Sequence, residues 1–174
     1  MTRIHDLSAA QMAAAVRTGE VSPVELTDHY LARVERLNEQ VGAYATVTAE
    51  RARDEARQAE KAVKDAADPA DLPPLHGVPV PVKDLNMVDG VRFTIGSGVY
   101  TGLTGFADDY VVSRLRQAGS VLLGKTATPE FGLPCYTEGD VSPPARTPWD
   151  LSRSAGGSSG GAAAAVASGL APVA

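Results

Sequence analysis

A chain of 174 residues, 44% hydrophobic and 21% charged, can bury about 70% of its unfolded surface, enough for one domain, and holds no apolar run of membrane-spanning length. Its net charge of −5 argues against nucleic acid or an anionic membrane as partner. The single cysteine, Cys135, excludes an internal disulfide and fits a reducing, cytoplasmic compartment. With no histidine near it in sequence, Cys135 reads as structural rather than nucleophilic. His5, His29 and His76 show no metal-ligand spacing, so neither a metal nor a cofactor is expected. The amino-terminal residues lack the apolar core of a signal peptide, because Gln11 and Arg17 interrupt the alanines after Ser8.

The first third reads as helical. Ser8 with Gln11 has the form of a capping box, and Gly19 suits the helix end. Ser22-Pro23 supplies an N-cap with proline at the first helical position, and Glu25 is placed to complete a second box. Leu26, Tyr30, Val34 and Leu37 then recur at helical spacing and predict one buried stripe. Residues 43–48 alternate like a short strand, and residues 50–65 form an alanine-rich helix whose charges mark a solvated face. The proline-rich residues 68–74 separate this layer from the remainder of the chain.

Beyond residue 75 strands alternate with helices. Residues 78–82 set three valines between prolines, a pattern that removes ladder donors and suits an edge strand. Residues 111–118 predict a helix, and residues 121–123 a strand ending at Gly124. That order argues for a parallel unit in an α/β sheet. Residues 86–104 and 132–153 read as long irregular segments, and a last helix rich in alanine covers about residues 160–168.

Two motifs carry chemistry. Ser154-Ala-Gly-Gly-Ser-Ser-Gly-Gly161 runs into that last helix. Alone it is open to three readings: a flexible linker, a phosphate cradle at a helix N-terminus, or a loop presenting Ser158 and Ser159 against backbone donors. Well upstream, His76-Gly-Val-Pro-Val-Pro-Val-Lys-Asp84 ends an apolar run in a lysine. Burying an ammonium is expensive, so a lysine there either reaches solvent or has its pKa lowered for a purpose.

Together these motifs resemble the amidase signature family, the serine hydrolases that use a Ser-Ser-Lys triad. The other matching segments stand in order: residues 21–38 are similar to the family's N-terminal helix, 109–126 to its helix-then-strand unit followed by Pro129-Glu-Phe131, and Thr147-Pro-Trp-Asp150 leads into the serine motif. The resemblance implies an α/β fold. A helical layer over residues 1–68 precedes, over 75–174, the first part of a mixed, largely parallel amidase-signature sheet flanked by helices. It implies Lys83 as base and Ser158 as relay, Ser159, Asp84 and Gly157 in support, and a cis peptide between Gly157 and Ser158. Lys83 Nζ is then expected within about 2.7–3.2 Å of the Ser158 hydroxyl. Ser159 is either a supporting partner or a helix cap, Asp84 is expected to accept N–H bonds from the loop after Lys83, and residues 131–135, with Gly132, are implied to line an acyl pocket.

The resemblance also places the acylating serine and its oxyanion donors beyond Ala174. The expected protein is therefore the N-terminal part of an amidohydrolase for a small-molecule amide, inactive alone and inclined to self-associate or pair with the missing C-terminal part. Two alternatives stay open: a protein like the catalytic component of a tRNA-dependent amidotransferase, acting on charged tRNA, from whose expected pattern residues 137–146 depart, and a non-catalytic binding module.

Overall fold

Residues 3–174 are described by a computed structural model; Met1 and Thr2, at the start of the segment read for a leader, lie outside the described residues. Helix α1 (Ala9–Arg17) begins with the expected box: Ser8 N–H donates to Gln11 Oε1 at 2.8 Å and Gln11 N–H to Ser8 Oγ at 3.3 Å. Helix α2 (Pro23–Val41) is capped by Ser22 Oγ, which accepts from Glu25 N–H at 3.0 Å. Only this half of the expected second box forms, so Glu25 contributes its backbone and not its side chain. Leu26, Tyr30 and Val34 are buried as one stripe, the arrangement their spacing predicts. Helix α3 (Ala49–Asp65) turns Ala52, Ala56 and Ala59 inward, small enough for α2 and the sheet to approach closely.

The sheet contains β1 (Tyr44–Val47), β2 (Pro79–Lys83) and β3 (Val121–Thr126) in the order β1-β3-β2. Strands β2 and β3 are parallel and joined through α4 (Tyr110–Gln117), whereas β1 and β3 are antiparallel. The sheet is thus mixed, and among the described residues the proline-bearing β2 is an edge, as its missing N–H donors require. A register shift between Val80 and Val82 changes which face the side chains meet. Val78 and Val80 join Val121 and Leu123 in the main core beneath α1, α2 and α3, while Val82 joins Leu122, Val88, Val91 and Val112 in a second cluster against α4.

Strand β3 does not stop at Gly124. It continues through Lys125 and Thr126, both buried, because Gly124 takes φ +147 and lets the Thr46 carbonyl of β1 pass where a Cβ would stand. Part of the segment read as irregular is a hairpin, β4 (Arg146–Thr147) with β5 (Asp150–Ser154), turning at Pro148-Trp149. Its strands are largely exposed and polar, so no apolar alternation announces them. The chain closes on α5 (Gly160–Ala167), whose Gly161 lies against the Ala127 backbone and the Ala43 carbonyl. No described helix is long and apolar enough to cross a membrane.

Candidate active site

The end of β2 and the start of α5 meet. Lys83 Nζ lies 2.8 Å from Ser158 Oγ and 3.0 Å from Ser159 Oγ, so the expected Lys83–Ser158 contact is present. The Gly157–Ser158 peptide is cis. Lys83 is half-buried, and burial lowers its pKa from the ordinary lysine value. No carboxylate among the described residues pairs with it; its polar partners are hydroxyls. A separation of 2.8 Å serves an ammonium donating to a hydroxyl and, after loss of a proton, a hydroxyl donating to a neutral amine.

The serine loop is held by its neighbours. Thr137, buried, donates from Oγ1 to the Gly156 carbonyl at 2.9 Å and accepts from Gly160 N–H at 3.1 Å. Thr128 Oγ1 donates to the Ser158 carbonyl at 3.3 Å. A Cβ on Gly157 would stand 3.0 Å from the Cys135 and Tyr136 backbone, and one on Gly160 would press on Thr137 Oγ1. The glycines of the motif therefore admit close backbone and side-chain approach instead of supplying a loose tether. Ser159 occupies the N-cap position of α5 but makes no cap bond with its side chain; of its two readings, the geometry has it partnering Lys83.

Asp84 is fully buried. One carboxylate oxygen accepts from Thr94 N–H at 3.2 Å and from the Thr94 hydroxyl, and the other from Lys125 Nζ at 2.6 Å. The N–H acceptance expected of it is found, but the buried ion pair with Lys125 is new. Sequence reasoning missed Lys125 although the signal was the one that singled out Lys83, a lysine closing an apolar run. Gly132 sits at φ +71 with Leu85 where its Cβ would be, and no hydrogen bond joins it to Lys83 or Ser158. Cys135 is exposed and free, not packed inside. Adjacent to the motif, a groove of about 310 Å³ is lined by Trp149, Arg153, Gly156, Ala163 and Ala167. A larger concavity, about 800 Å³, lies between α2 and α3 along Leu31, Glu35, Asn38 and Arg53 and touches none of the Lys83 cluster.

The strand-end lysine of this mixed α/β chain thus meets two serines at the entrance to α5. Residues 25–174 match the Amidase family, and the chain belongs to that family. It is 43% identical over 174 residues to a putative amidase of Synechocystis sp., covering all of this chain and 34% of that protein. It is 42% identical over 169 residues to a glutamyl-tRNA(Gln) amidotransferase component of Thioalkalivibrio sulfidiphilus, covering 97% of this chain and 34% of that one. The solved structure of 6-aminohexanoate cyclic dimer hydrolase superposes with a TM-score of 0.86 at 36% identity, over 98% of this chain and 33% of its own. The chain thus spans about a third of the length of the relatives it matches.

Proposed function

We propose that the chain is the amino-terminal part of a cytoplasmic amidohydrolase, residues 1–68 its helical layer and 75–174 the start of its α/β core, and that Lys83 and Ser158 are its base and proton relay. The observation that carries this reading is the 2.8 Å contact between Lys83 Nζ and Ser158 Oγ, made by a lysine with no counter-ion among the described residues and a lowered pKa. A neutral Lys83 accepts the Ser158 proton while the Ser158 oxygen accepts one from an attacking serine, contributed by sequence beyond residue 174. That serine adds to the amide carbonyl, and the relay returns a proton to the departing nitrogen, leaving an acyl-enzyme for water to hydrolyse. A hydroxyl suits the middle position because it donates and accepts at once. Ser159 holds the lysine from its other side, Gly157 admits the Cys135–Tyr136 backbone, and Asp84 fixes the turn after β2. Gly132 lines the acyl pocket.

The threefold greater length of the relatives supports placing the nucleophile outside these residues. Large exposed apolar side chains support a covering partner, either that remainder or a second copy: Val99, Phe106, Leu133 and Trp149 are each about 80% exposed. A second reading, a component of a tRNA-dependent amidotransferase, is favoured by the nearly equal identity to the amidotransferase relatives. The test is hydrolysis of simple carboxylic amides by the protein that carries this segment. Ser158→Ala is expected to lower turnover by about 10²–10⁴-fold. Turnover unchanged in Ser158→Ala overturns the relay, and activity confined to charged tRNA selects the second reading.

A further inference from the structure

We infer that Lys125 is a positioning residue for this site: its ammonium holds the Asp84 carboxylate within the protein, so that the acid next to Lys83 in the chain stays away from it and Lys83 keeps only hydroxyl partners. The inference rests on the reading of Lys83 as base. Both members of the pair are buried, 2.6 Å apart. Stability alone does not explain such a pair, because replacing a buried ion pair with apolar side chains is often neutral or stabilising.

The surroundings specify what the pair does. Lys125 lies on β3 directly beside β2, with Val82 opposite Lys125 and Lys83 opposite Thr126. Asp84 N–H donates to the Thr126 carbonyl at 3.0 Å, so the backbone at the turn is pinned to β3 just where the pair forms. The other carboxylate oxygen draws in Thr94, whose hydroxyl accepts from Gly96 N–H at 3.2 Å. Gly96 in turn lies against the Pro129 carbonyl, and Phe131 N–H donates to the Ile95 carbonyl at 2.8 Å. The pair therefore ties the turn at Lys83 to the Thr94–Gly96 loop and, through it, to the Pro129–Phe131 segment that follows Thr128, the residue bonded to the Ser158 carbonyl. Around Lys125 itself, the Phe93 ring lies 5.0 Å from the ammonium, and Asp109 at the entrance to α4 adds a weaker attraction to that of Asp84. Glu130, on the flanking loop, is taken up by the Ser97 hydroxyl at 2.7 Å. Among these groups only Asp84 adjoins Lys83 in the chain, and it is occupied.

Removing the Lys125 charge leaves the Asp84 carboxylate unbalanced one residue from Lys83, and a negative charge that close in a partly buried setting favours the ammonium form. Competitive labelling of Lys83 with acetic anhydride across pH, read by mass spectrometry, reports the midpoint directly. In Lys125→Met the midpoint is expected to rise by about one unit or more, a tenfold loss of neutral amine at a fixed pH. Lys125→Arg keeps the wild-type midpoint, and the double variant Asp84→Asn/Lys125→Met restores it. Lys125→Gln, which retains an N–H donor for Asp84, carries the same test where the methionine variant does not fold. A purely structural role lowers the unfolding temperature without moving the midpoint; an unmoved midpoint in folded Lys125→Met, or in folded Lys125→Gln where the methionine variant does not fold, overturns the inference. The outcome is separable from that for Lys83 as base, since an ordinary lysine midpoint in the wild type counts against the base alone.

Discussion

In the helical layer of α1, α2 and α3, side chains repeat every three or four residues, caps are local, and the buried side chains are apolar apart from Thr27. Around Lys83 and Ser158 the contacts are long-range and polar. Thr137 reaches Gly156 and Gly160, Thr128 reaches Ser158, and Lys125 reaches Asp84 across strands. Ile95 and Phe131 hold positive φ there and are joined to each other by a backbone hydrogen bond. One region is held by burial that a spacing rule describes. The other is held by directed bonds, each depending on a partner far along the chain, which is how a few hydroxyls and an amine are kept at fixed distances.

The difference can be broken by substitution. Leu26→Ala, at a fully buried site in α2, is expected to cost about 2–5 kcal/mol of folding stability. It should leave the Lys83 labelling midpoint untouched, and denaturant unfolding beside the labelling experiment checks both. Thr137→Val is expected to cost less, about 1–3 kcal/mol, because Gly160 N–H and the Gly156 carbonyl each lose a buried partner. That change should loosen the serine motif, seen as faster amide hydrogen exchange over residues 156–161, with the helical layer as protected as before. Equal loosening of both regions would mean that they are not held separately.

Smaller effects sharpen the same contrast. Ser8→Ala removes one side of a local capping box, and thermal unfolding should register about 0.5–2 kcal/mol with no effect at the site. His5 and His29 stack and share a hydrogen bond of 3.0 Å, and burial, aided by Arg33, lowers the pKa of both. Groups lowered on folding contribute stability that is complete above their unfolded value of 6.5 and is lost as pH falls through the folded values. The unfolding temperature should therefore drop as pH falls below 6.5, and the His5→Gln/His29→Gln variant should drop less.

What could be read from the sequence divides along the same line. The stripe of Leu26, Tyr30 and Val34, the Ser8 cap and the Ser22 cap are local patterns, and each stands where its spacing put it. Lys83 and Ser158 were legible because two unusual local motifs pointed to each other through a family resemblance, not because any spacing predicts a contact between them. Lys125 was hidden by Gly124, which looks like a strand terminus but permits β1 to cross close to β3. The hairpin of β4 and β5 was hidden because exposed polar strands carry no period, and the second core cluster because the register shift between Val80 and Val82 is set by pairing with β3. Pairing of that kind has no local signature.

If a neutral Lys83 draws the proton from Ser158, acylation must follow the titration of that amine. Neutral amine increases with pH, so in the protein carrying this segment the acylation rate on a simple amide should rise about tenfold per pH unit below the Lys83 midpoint. It should then level off at a pH under the ordinary lysine value, since burial lowers that midpoint. In Lys83→Ala the rise should vanish along with most of the rate. A rise of the same slope and midpoint persisting in Lys83→Ala would contradict the account.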